Sequence, residues 1–517
     1  MKKVSKTVFY TSVIIAVLFI AWGVLFPKNI TSVTGNIQDF LQTNFGWFYL
    51  LAASVFLIFV IALIFTRYGS IRLGKDDEKP EYSFITWFAM LFSAGMGIGL
   101  VFWGTAEPLS HFSSPPIGEG GTQTDAANAM TYTLFHWGVH PWAIYTLVAL
   151  ALAYFKFRKD APGLISATFT PLLGNKVEGP IGKTIDLLAV FATIFGVATS
   201  LGLGAAQISG GLSFLSGGIE NNISTQLIII AVVTVLFTAS ALSGLDRGIR
   251  YLSNTNIILA VALMLFLLFV GPTQFILNFF TTTLGNYIQE IPHLSLQITP
   301  FSDTQQADWT QAWTIFYWAW WISWAPFVGT FIARVSRGRT IREFIIGVLA
   351  VPVIFSAFWF AVLGGSGLYA EMIEGAGIVN VMNEAGTEIA LFQMLEGFPF
   401  GTALSVIAIL LIGTFFITSA DSATFVLGMQ TTNGSLNPPK SIRLTWGIIQ
   451  AAAAAVLLST GGLTGLQTAA IIAAFPFIFV IIGMGISLLK ALRKEKPLPK
   501  KERGLGPMRR YSTSKSK

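Results

Sequence analysis

Long apolar stretches alternate with short polar segments along almost the whole chain. A helix needs about 20 apolar residues to cross a bilayer, and twelve stretches meet that requirement. The predicted spans, numbered 1 to 12, cover approximately residues 8–26, 46–66, 84–105, 128–155, 184–214, 224–243, 254–281, 310–333, 342–369, 398–430, 441–460 and 464–491. Span 1 has no small-residue cleavage site after it, so we expect a membrane anchor rather than a cleaved signal peptide. The pattern predicts an all-α integral membrane protein.

The basic residues lie on one side of this arrangement. When the N-terminus is placed inside, Lys28 is the only one of the 32 Lys and Arg residues that falls outside the inner segments. Cytoplasmic loops of membrane proteins are enriched in Lys and Arg. We therefore expect both termini to be cytoplasmic, in agreement with an even number of spans.

Composition excludes an ordinary soluble enzyme. Only 11% of the residues are charged and 53% are hydrophobic, whereas soluble chains carry about 25% charged residues. The chain has no cysteine, which removes disulfides, thiolate metal sites and cysteine nucleophiles. Its net charge of +7 follows from the inner loops, so we expect no nucleic-acid partner, while contact with anionic membrane lipid stays open.

Few ionisable side chains fall inside the predicted spans. They are His136, His140, Asp186 and Asp421, and no Lys or Arg lies deep in a span. The two histidines form the sequence HWGVH, which lacks the glutamate of a zinc-protease helix, and we expect a structural or site-lining role for them. Because no nucleophile, base and orienting group occur together, we expect no enzyme. Neither a channel filter nor a soluble signalling domain is recognisable.

Two spans contain residues that weaken a helix. Span 3 carries Gly95-Met96-Gly97-Ile98-Gly99, and span 8 carries four tryptophans followed by Pro326 and Gly329. Such interruptions occur in membranes where they face protein or a water-filled cavity, although alternating glycines also allow close helix packing. Spans 3 and 8 are five apart, and interrupted helices at matching positions of two inverted halves indicate a transporter.

The predicted organisation is two inverted repeats of five helices, preceded by an extra pair. Its segments are a cytoplasmic N-terminus (1–7), spans 1 and 2 (8–66), a first repeat of spans 3–7 (84–281), an extracellular interfacial segment (282–309), a second repeat of spans 8–12 (310–491) and a basic cytoplasmic tail (492–517). We expect residues 106–127 to form an outer loop.

Aromatic side chains cluster in spans 4 and 8. Span 8 carries Trp320, Trp321 and Trp324, and span 4 carries Trp137, Trp142 and Tyr145. Aromatic stripes often serve packing alone, but cages of such rings bind quaternary ammonium groups through cation–π attraction. Backbone N–H groups at the glycine-rich break could receive a carboxylate of the same ligand. The candidate substrate is therefore a small zwitterion with a quaternary head.

Adjacent hydroxyls occur in an apolar run of span 10. Thr418 and Ser419 either bond back to the preceding helical turn or act as oxygen ligands for a small cation, together with carbonyls of the broken span 3. The sequence leaves both interpretations open.

Four ordered motifs resemble those of the betaine/carnitine/choline transporter family and cover nearly the whole chain. They are GMGIGLVFWGTAEP, FHWGVHPWAIY, WTIFYWAWWISWAPFVGTFIARVSRGRTIREF and FITSADSATF. The chain is also similar to the glycine betaine members of Gram-positive bacteria. The resemblance implies a leucine-transporter-like inverted repeat, a homotrimer and a place in the bacterial cell membrane.

The resemblance also implies residue roles. The substrate cage would comprise Trp320, Trp321 and Trp324, an outer aromatic layer Trp137, Trp142 and Tyr145, and the glycine stretch Gly95, Met96 and Gly97. One sodium site would use the carbonyls of Ser93, Met96 and Phe415 and the hydroxyls of Thr418 and Ser419. Thr193 and Phe327 match a second sodium site, but Val197 stands where the family has another hydroxyl. The sodium stoichiometry therefore stays open.

The expected function is sodium-coupled uptake of glycine betaine in osmotic protection, with sodium as coupling ion and no other cofactor. Sodium-independent exchangers of this family hold a buried arginine at the sodium position, and no arginine lies deep in a span here. Choline or carnitine transport, proton-coupled or by exchange, is the alternative.

Overall fold

The computed structural model describes residues 5–95, 97–243, 246–301 and 304–495. The regular elements of these residues are all helices, and the only strand-like pairing among them is a single bridge between Arg72 and Thr340. Most of the predicted basic tail, from residue 496 onward, lies outside the described residues.

The helices are numbered in chain order. In the first half they are α1 (Lys6–Leu25), α2 (Pro27–Phe65), α3 (Phe84–Gly95), α4 (Ile98–Ser113), α5 (Gln123–Trp137), α6 (Val139–Ala153), α7 (Thr170–Leu173), α8 (Pro180–Ser216) and α9 (Ile223–Ser243). In the second half they are α10 (Asp246–Val270), α11 (Thr273–Leu294), α12 (Gln305–Thr310), α13 (Phe316–Val335), α14 (Ile341–Met372), α15 (Ile378–Ala385), α16 (Ala390–Glu396), α17 (Gly401–Thr431) and α18 (Lys440–Leu492).

Nine helical segments among the described residues are long and apolar enough to cross a membrane. This number is lower than the twelve predicted spans partly because span 3 is divided into α3 and α4, while spans 11 and 12 are joined in α18. Within α18, two helices meet at Gly462, whose backbone angle φ of 57° is not helical. A β-carbon at Gly465 would lie 2.6 Å from the Leu457 carbonyl oxygen, so the chain turns sharply here and spans 11 and 12 are separate helices. The twelve-span count and the inverted repeat stay predictions.

The structure confirms one of the two predicted helix breaks. Helix α3 ends at Gly95, Gly97 has an extended backbone, and α4 begins at Ile98. The second prediction is wrong, because α13 stays helical through Pro326 and Gly329. Gly329 instead gives a close contact with α6, since a β-carbon there would lie 2.7 Å from Val148 Cγ1.

Two predicted segment ends are also wrong. Helix α4 continues to Ser113 and buries Glu107 and His111, so residues 106–113 do not belong to an outer loop. Span 7 ends at Val270, where Gly271 and Pro272 separate it from the amphipathic helix α11. Proline lacks the N–H that would continue the preceding helix, which explains the end at this point.

Helix packing places α13 at the centre of the molecule. It contacts α6, α8 and α18, while α4 packs against α5 and α14. The large exposed apolar side chains lie on peripheral helices, for example Leu18 on α1, Ile58 on α2 and Val235 on α9. Such an apolar surface suits contact with lipid chains. Most of the aromatic residues of α13, in contrast, are buried in the interior.

The end of α18 is tied to the predicted cytoplasmic side by ion pairs. Glu495 lies 2.8 Å from Arg158 and 2.7 Å from Lys159, and Tyr154 donates its hydroxyl to the same carboxylate. Burial alone would raise the pKa of Glu495, but these hydrogen bonds and charges outweigh it and lower the pKa to about 2. The ionised carboxylate therefore stabilises the folded protein.

We predict that Glu495→Gln lowers the stability of the purified protein by up to about 1 kcal/mol, the usual limit for a partly exposed ion pair. Because the folded-state pKa is depressed, the deficit is full at neutral pH, shrinks as the pH falls below about 4.5 and disappears near pH 2. Thermal unfolding in detergent across this pH range measures it. Glu119→Gln, at an exposed carboxylate in the loop after α4, is the matched control. Equal effects of the two variants would contradict the prediction.

Candidate functional site

Three tryptophans of α13 form the centre of an aromatic cluster. Trp320 and Trp321 lie at successive positions with ring centroids 5.0 Å apart, and Trp324 follows one turn later, 6.2 Å from Trp320. Trp320 and Trp321 are buried and Trp324 is half-buried. The spacing i, i+1 and i+4 brings the three rings to neighbouring positions on one helix.

The predicted outer aromatic layer joins this cluster. Trp137 ends α5, and its ring meets Trp321 edge-on at 4.8 Å. On α6, the Tyr145 ring lies 6.0 Å from Trp321 and 5.6 Å from Trp142. The structure therefore brings all six predicted aromatic residues into one continuous group, while their role as a cage stays a prediction.

The glycine break lies directly against these rings. A β-carbon at position 99 would lie 2.7 Å from Trp320 Cη2 and 3.0 Å from Trp137 Cη2, so only glycine fits this approach. At Gly97 the corresponding distance to Trp324 Cη2 is 3.8 Å. Of the other predicted residues of this stretch, Gly95 ends α3 and Met96 lies outside the described residues.

The polar atoms of the cluster divide into two groups. The indole N–H of Trp321 donates to the His136 carbonyl at 2.9 Å, and that of Trp137 donates to Glu107 at 2.7 Å. Within this cluster, three buried groups have no hydrogen-bond partner among the described residues: the indole nitrogens of Trp320 and Trp324 and the Tyr145 hydroxyl. Because buried polar groups are normally paired, these three donors suggest a ligand that accepts hydrogen bonds.

Thr418 and Ser419 border the same space as Trp324. A cavity of about 650 Å³ is lined by both residues, by Phe415 on α17, and by Trp324 and Phe327 on α13. The cavity continues to Tyr82, Thr86, Ser253 and Asn254, near the predicted cytoplasmic ends of α3 and α10. It thus connects the aromatic cluster with the predicted inner side.

The Thr418 hydroxyl bonds back to its own helix, one of the two roles left open by the sequence. It lies 3.0 Å from the Thr414 carbonyl and 3.2 Å from the Phe415 carbonyl, and it accepts the Asn256 amide at 3.2 Å. Back-bonding uses only the hydroxyl proton, so it does not exclude a cation on the oxygen. Ser93 lies on α3, with its side chain outside the described part, so the complete sodium ligand set stays a prediction.

The residues of the predicted second sodium site make separate contacts. Thr193 on α8 donates to the Ala189 carbonyl at 2.8 Å and accepts the Gln430 amide at 3.2 Å. Phe327 instead packs on Trp324, with ring centroids 5.7 Å apart. These contacts do not join Thr193 and Phe327 into one site, and the second sodium site stays a prediction.

A buried carboxylate, Glu107, lies behind the aromatic cluster and was missed by the sequence analysis. Its Oε1 is 2.8 Å from His136 Nδ1 and 3.1 Å from His111 Nε2. Its Oε2 accepts the Trp137 indole N–H and the Tyr317 hydroxyl. All five side chains are buried. The available signal was the pair Glu107 and His111, four residues apart, which fall on one face if α4 continues.

The histidines have different surroundings. His136 completes its hydrogen bonding through Nε2, 3.0 Å from the Thr314 hydroxyl, and its carbonyl holds Trp321. His140 faces away from the cluster, 2.9 Å from the Ser295 hydroxyl and stacked on Trp318. His136 is therefore beside the site, whereas His140 joins α6 to the end of α11.

Glu107, His111 and His136 also place three potential metal-ligand atoms within 4.8 Å of one another. However, each Glu107 oxygen already accepts two hydrogen bonds, and His136 is bonded through both ring nitrogens. Hydrogen bonds therefore satisfy the Glu107 carboxylate and both ring nitrogens of His136 without an ion.

Comparisons with known proteins agree with this architecture. The sequence profile of the BCCT, betaine/carnitine/choline family transporter, matches residues 7–497. The chain is 56% identical over 497 residues to the glycine betaine transporter OpuD of Bacillus subtilis (strain 168), covering 96% of each chain.

Two further relatives show the range of substrates named among similar proteins. The chain is 49% identical to a protein named "Probable glycine betaine transporter" from Desulfitobacterium hafniense (strain Y51), covering 96% of this chain and 99% of that one. It is 45% identical to the ectoine/hydroxyectoine transporter of Virgibacillus pantothenticus, covering 95% and 97%. These relatives are transporters rather than enzymes. With apolar helices throughout and a family match over nearly its whole length, the chain is a multi-pass membrane protein of the betaine/carnitine/choline transporter family.

Proposed function

We propose that this protein is a sodium-coupled symporter that takes up glycine betaine across the bacterial cytoplasmic membrane during osmotic stress. The observation that carries the proposal is the cavity shared by Trp324 and the Thr418–Ser419 pair. A substrate in the aromatic cluster and a cation at the hydroxyls would occupy adjoining positions. Binding of one can then favour binding of the other, as symport requires.

The aromatic cluster suits both ends of glycine betaine. A trimethylammonium group has no N–H to satisfy, and indole faces attract it through cation–π interaction. The unpartnered donors of Trp320, Trp324 and Tyr145 match a carboxylate, which needs hydrogen-bond donors in a buried site. Choline has no carboxylate and would leave these donors without an ionic acceptor, which favours betaine over the alternative.

The cation position rests on oxygen chemistry. Hydroxyl and carbonyl oxygens are the ligands that small hard cations prefer, and Thr418 keeps an oxygen lone pair in spite of its back-bonding. The proposed ligands are the hydroxyls of Thr418 and Ser419 with the carbonyls of Ser93, Met96 and Phe415. A second ion at Thr193 and Phe327 would require a rearrangement, since Thr193 is engaged by Gln430.

The remaining parts of the proposal concern orientation and assembly. Both termini face the cytoplasm, and the cavity opens to that side in this conformation. A homotrimer is proposed, with α11 as a candidate contact surface because this amphipathic helix exposes Leu277 and Ile288. No cofactor other than sodium is proposed.

Uptake into proteoliposomes tests the coupling. We expect radiolabelled glycine betaine to accumulate only with an inward sodium gradient at fixed pH. Excess unlabelled betaine should abolish uptake, and carnitine, choline and ectoine should compete less strongly. Uptake that depends on a proton gradient or on internal substrate, and not on sodium, would contradict sodium symport. It would not contradict the proposed aromatic substrate site.

Two variants separate the proposed sites. Ser419→Ala should raise the sodium concentration for half-maximal uptake by about tenfold or more, since one ligand to a charged group is lost. Trp324→Ala should raise the betaine KM by about tenfold or more at saturating sodium, because a ring and a donor are lost. Initial uptake rates measured against each concentration give both values.

Ser459→Ala is the matched control, because Ser459 is an exposed hydroxyl on α18 that bonds to the Ala455 carbonyl. We expect this control to leave both concentrations unchanged. Wild-type sodium dependence in the Ser419→Ala protein would contradict the assignment of Ser419 as a cation ligand.

A further inference from the structure

Glu107 is a buried carboxylate in contact with the proposed substrate cage. It is fully buried, and its ion-pair neighbours among the described residues are two histidines rather than Lys or Arg. Ionisable groups inside a membrane are costly and usually serve function. The cage itself contains only aromatic and backbone groups, so Glu107 is the acidic group that directly contacts one of its rings.

The hydrogen-bond pattern accommodates an ionised carboxylate with neutral histidines. The Trp137 indole can only donate, and the Tyr317 hydroxyl is free to donate to the same oxygen. For His136, a proton on Nδ1 leaves Nε2 to accept from Thr314. For His111, a proton on Nε2 points to Oε1 of Glu107, and Nδ1 has no hydrogen-bond partner among the described residues. Four donors can thus point at one negative charge, with the tautomers assigned from this network.

Two of the four donors carry this charge to the cage. The Trp137 ring touches both Trp321, at 4.8 Å, and Trp320, at 6.1 Å. The Tyr317 ring lies 6.0 Å from Trp321 in a stacked arrangement. An aromatic N–H or O–H that donates to an anion leaves its ring richer in electrons, and hydrogen bonds in a low-dielectric interior polarise one another. The rings around the substrate head group are therefore made more attractive to a cation.

We propose that Glu107 is a specificity-determining residue: its negative charge, transmitted through Trp137 and Tyr317, makes the cage select a positively charged quaternary head over an uncharged group of the same shape. The inference rests on the proposed function and deepens it. Glu107 does not touch the substrate itself. It acts through the cage rings and also holds α4, α5 and α13 together.

A purely structural role for Glu107 makes a different prediction. If Glu107 only fixed the positions of the rings, its loss would weaken every ligand of the cage by a similar factor. If the charge of Glu107 acts on the head group, loss of that charge selectively weakens the binding of ligands with a cationic head group. The distinction needs two ligands that differ in the head-group charge alone.

Glycine betaine and 3,3-dimethylbutanoate form such a pair. The second compound replaces the nitrogen by carbon, so it keeps the three methyl groups and the carboxylate but carries no positive charge. Inhibition of labelled betaine uptake in proteoliposomes gives an inhibition constant for each compound, and their ratio measures selection for the charge. We expect the wild-type protein to favour betaine strongly.

Glu107→Gln is expected to reduce this ratio by about tenfold, because the charge is removed while the shape is kept. Trp137→Phe keeps the charge but removes the indole N–H, and it should reduce the ratio in the same direction. Leu109→Ala, a buried α4 residue two positions away with no charge, is the control for general loosening and should leave the ratio unchanged.

An unchanged ratio in Glu107→Gln, with both compounds weakened equally, would overturn the proposal. If Glu107→Gln does not fold, as judged by size-exclusion chromatography in detergent, an unchanged ratio in Trp137→Phe overturns it instead. A wild-type protein that transports no quaternary ammonium compound would contradict the proposed function itself, a result distinct from either of these.

Discussion

The hydrocarbon layer of a membrane offers no water to satisfy polar groups, so each buried donor and acceptor must find a partner inside the protein. Most groups in this chain do so through helices, back-bonded hydroxyls and the Glu107 network. Among the buried groups without a partner in the described part of the chain, those of Trp320, Trp324 and Tyr145 lie together in one aromatic cluster, beside the helix break at Gly97. The site is therefore marked by the coincidence of these three unmet donors with the cavity that reaches Trp324.

The approach of α4 to α13 makes this arrangement possible. Gly99 brings the backbone against Trp320 and Trp137 at a distance that no side chain permits. The same helix, two turns further on, carries Glu107 to the other side of Trp137. The Trp137 ring thus lies between the backbone at Gly99 and the Glu107 carboxylate. The helix that shapes the cage also supplies its proposed negative charge.

The alternating glycines predicted the break in span 3, and the Trp and Tyr residues of spans 4 and 8 indicated the aromatic cluster, while hydrophobic periodicity predicted the all-α membrane class. It failed where tertiary contacts override local polarity. Residues 106–113 are polar enough to resemble a loop, but Glu107 is satisfied by donors from α5 and α13, which a local pattern cannot reveal. Pro326 was expected to break span 8, but α13 is packed tightly enough around it to stay helical.

The central claim is that the substrate and the cation occupy adjoining parts of one cavity, so their binding energies are coupled. Tryptophan fluorescence of the purified protein, titrated with glycine betaine in sodium chloride and in potassium chloride of equal ionic strength, measures this coupling directly. The account predicts a betaine affinity at least about fivefold higher in sodium. Equal affinities in the two salts would contradict it.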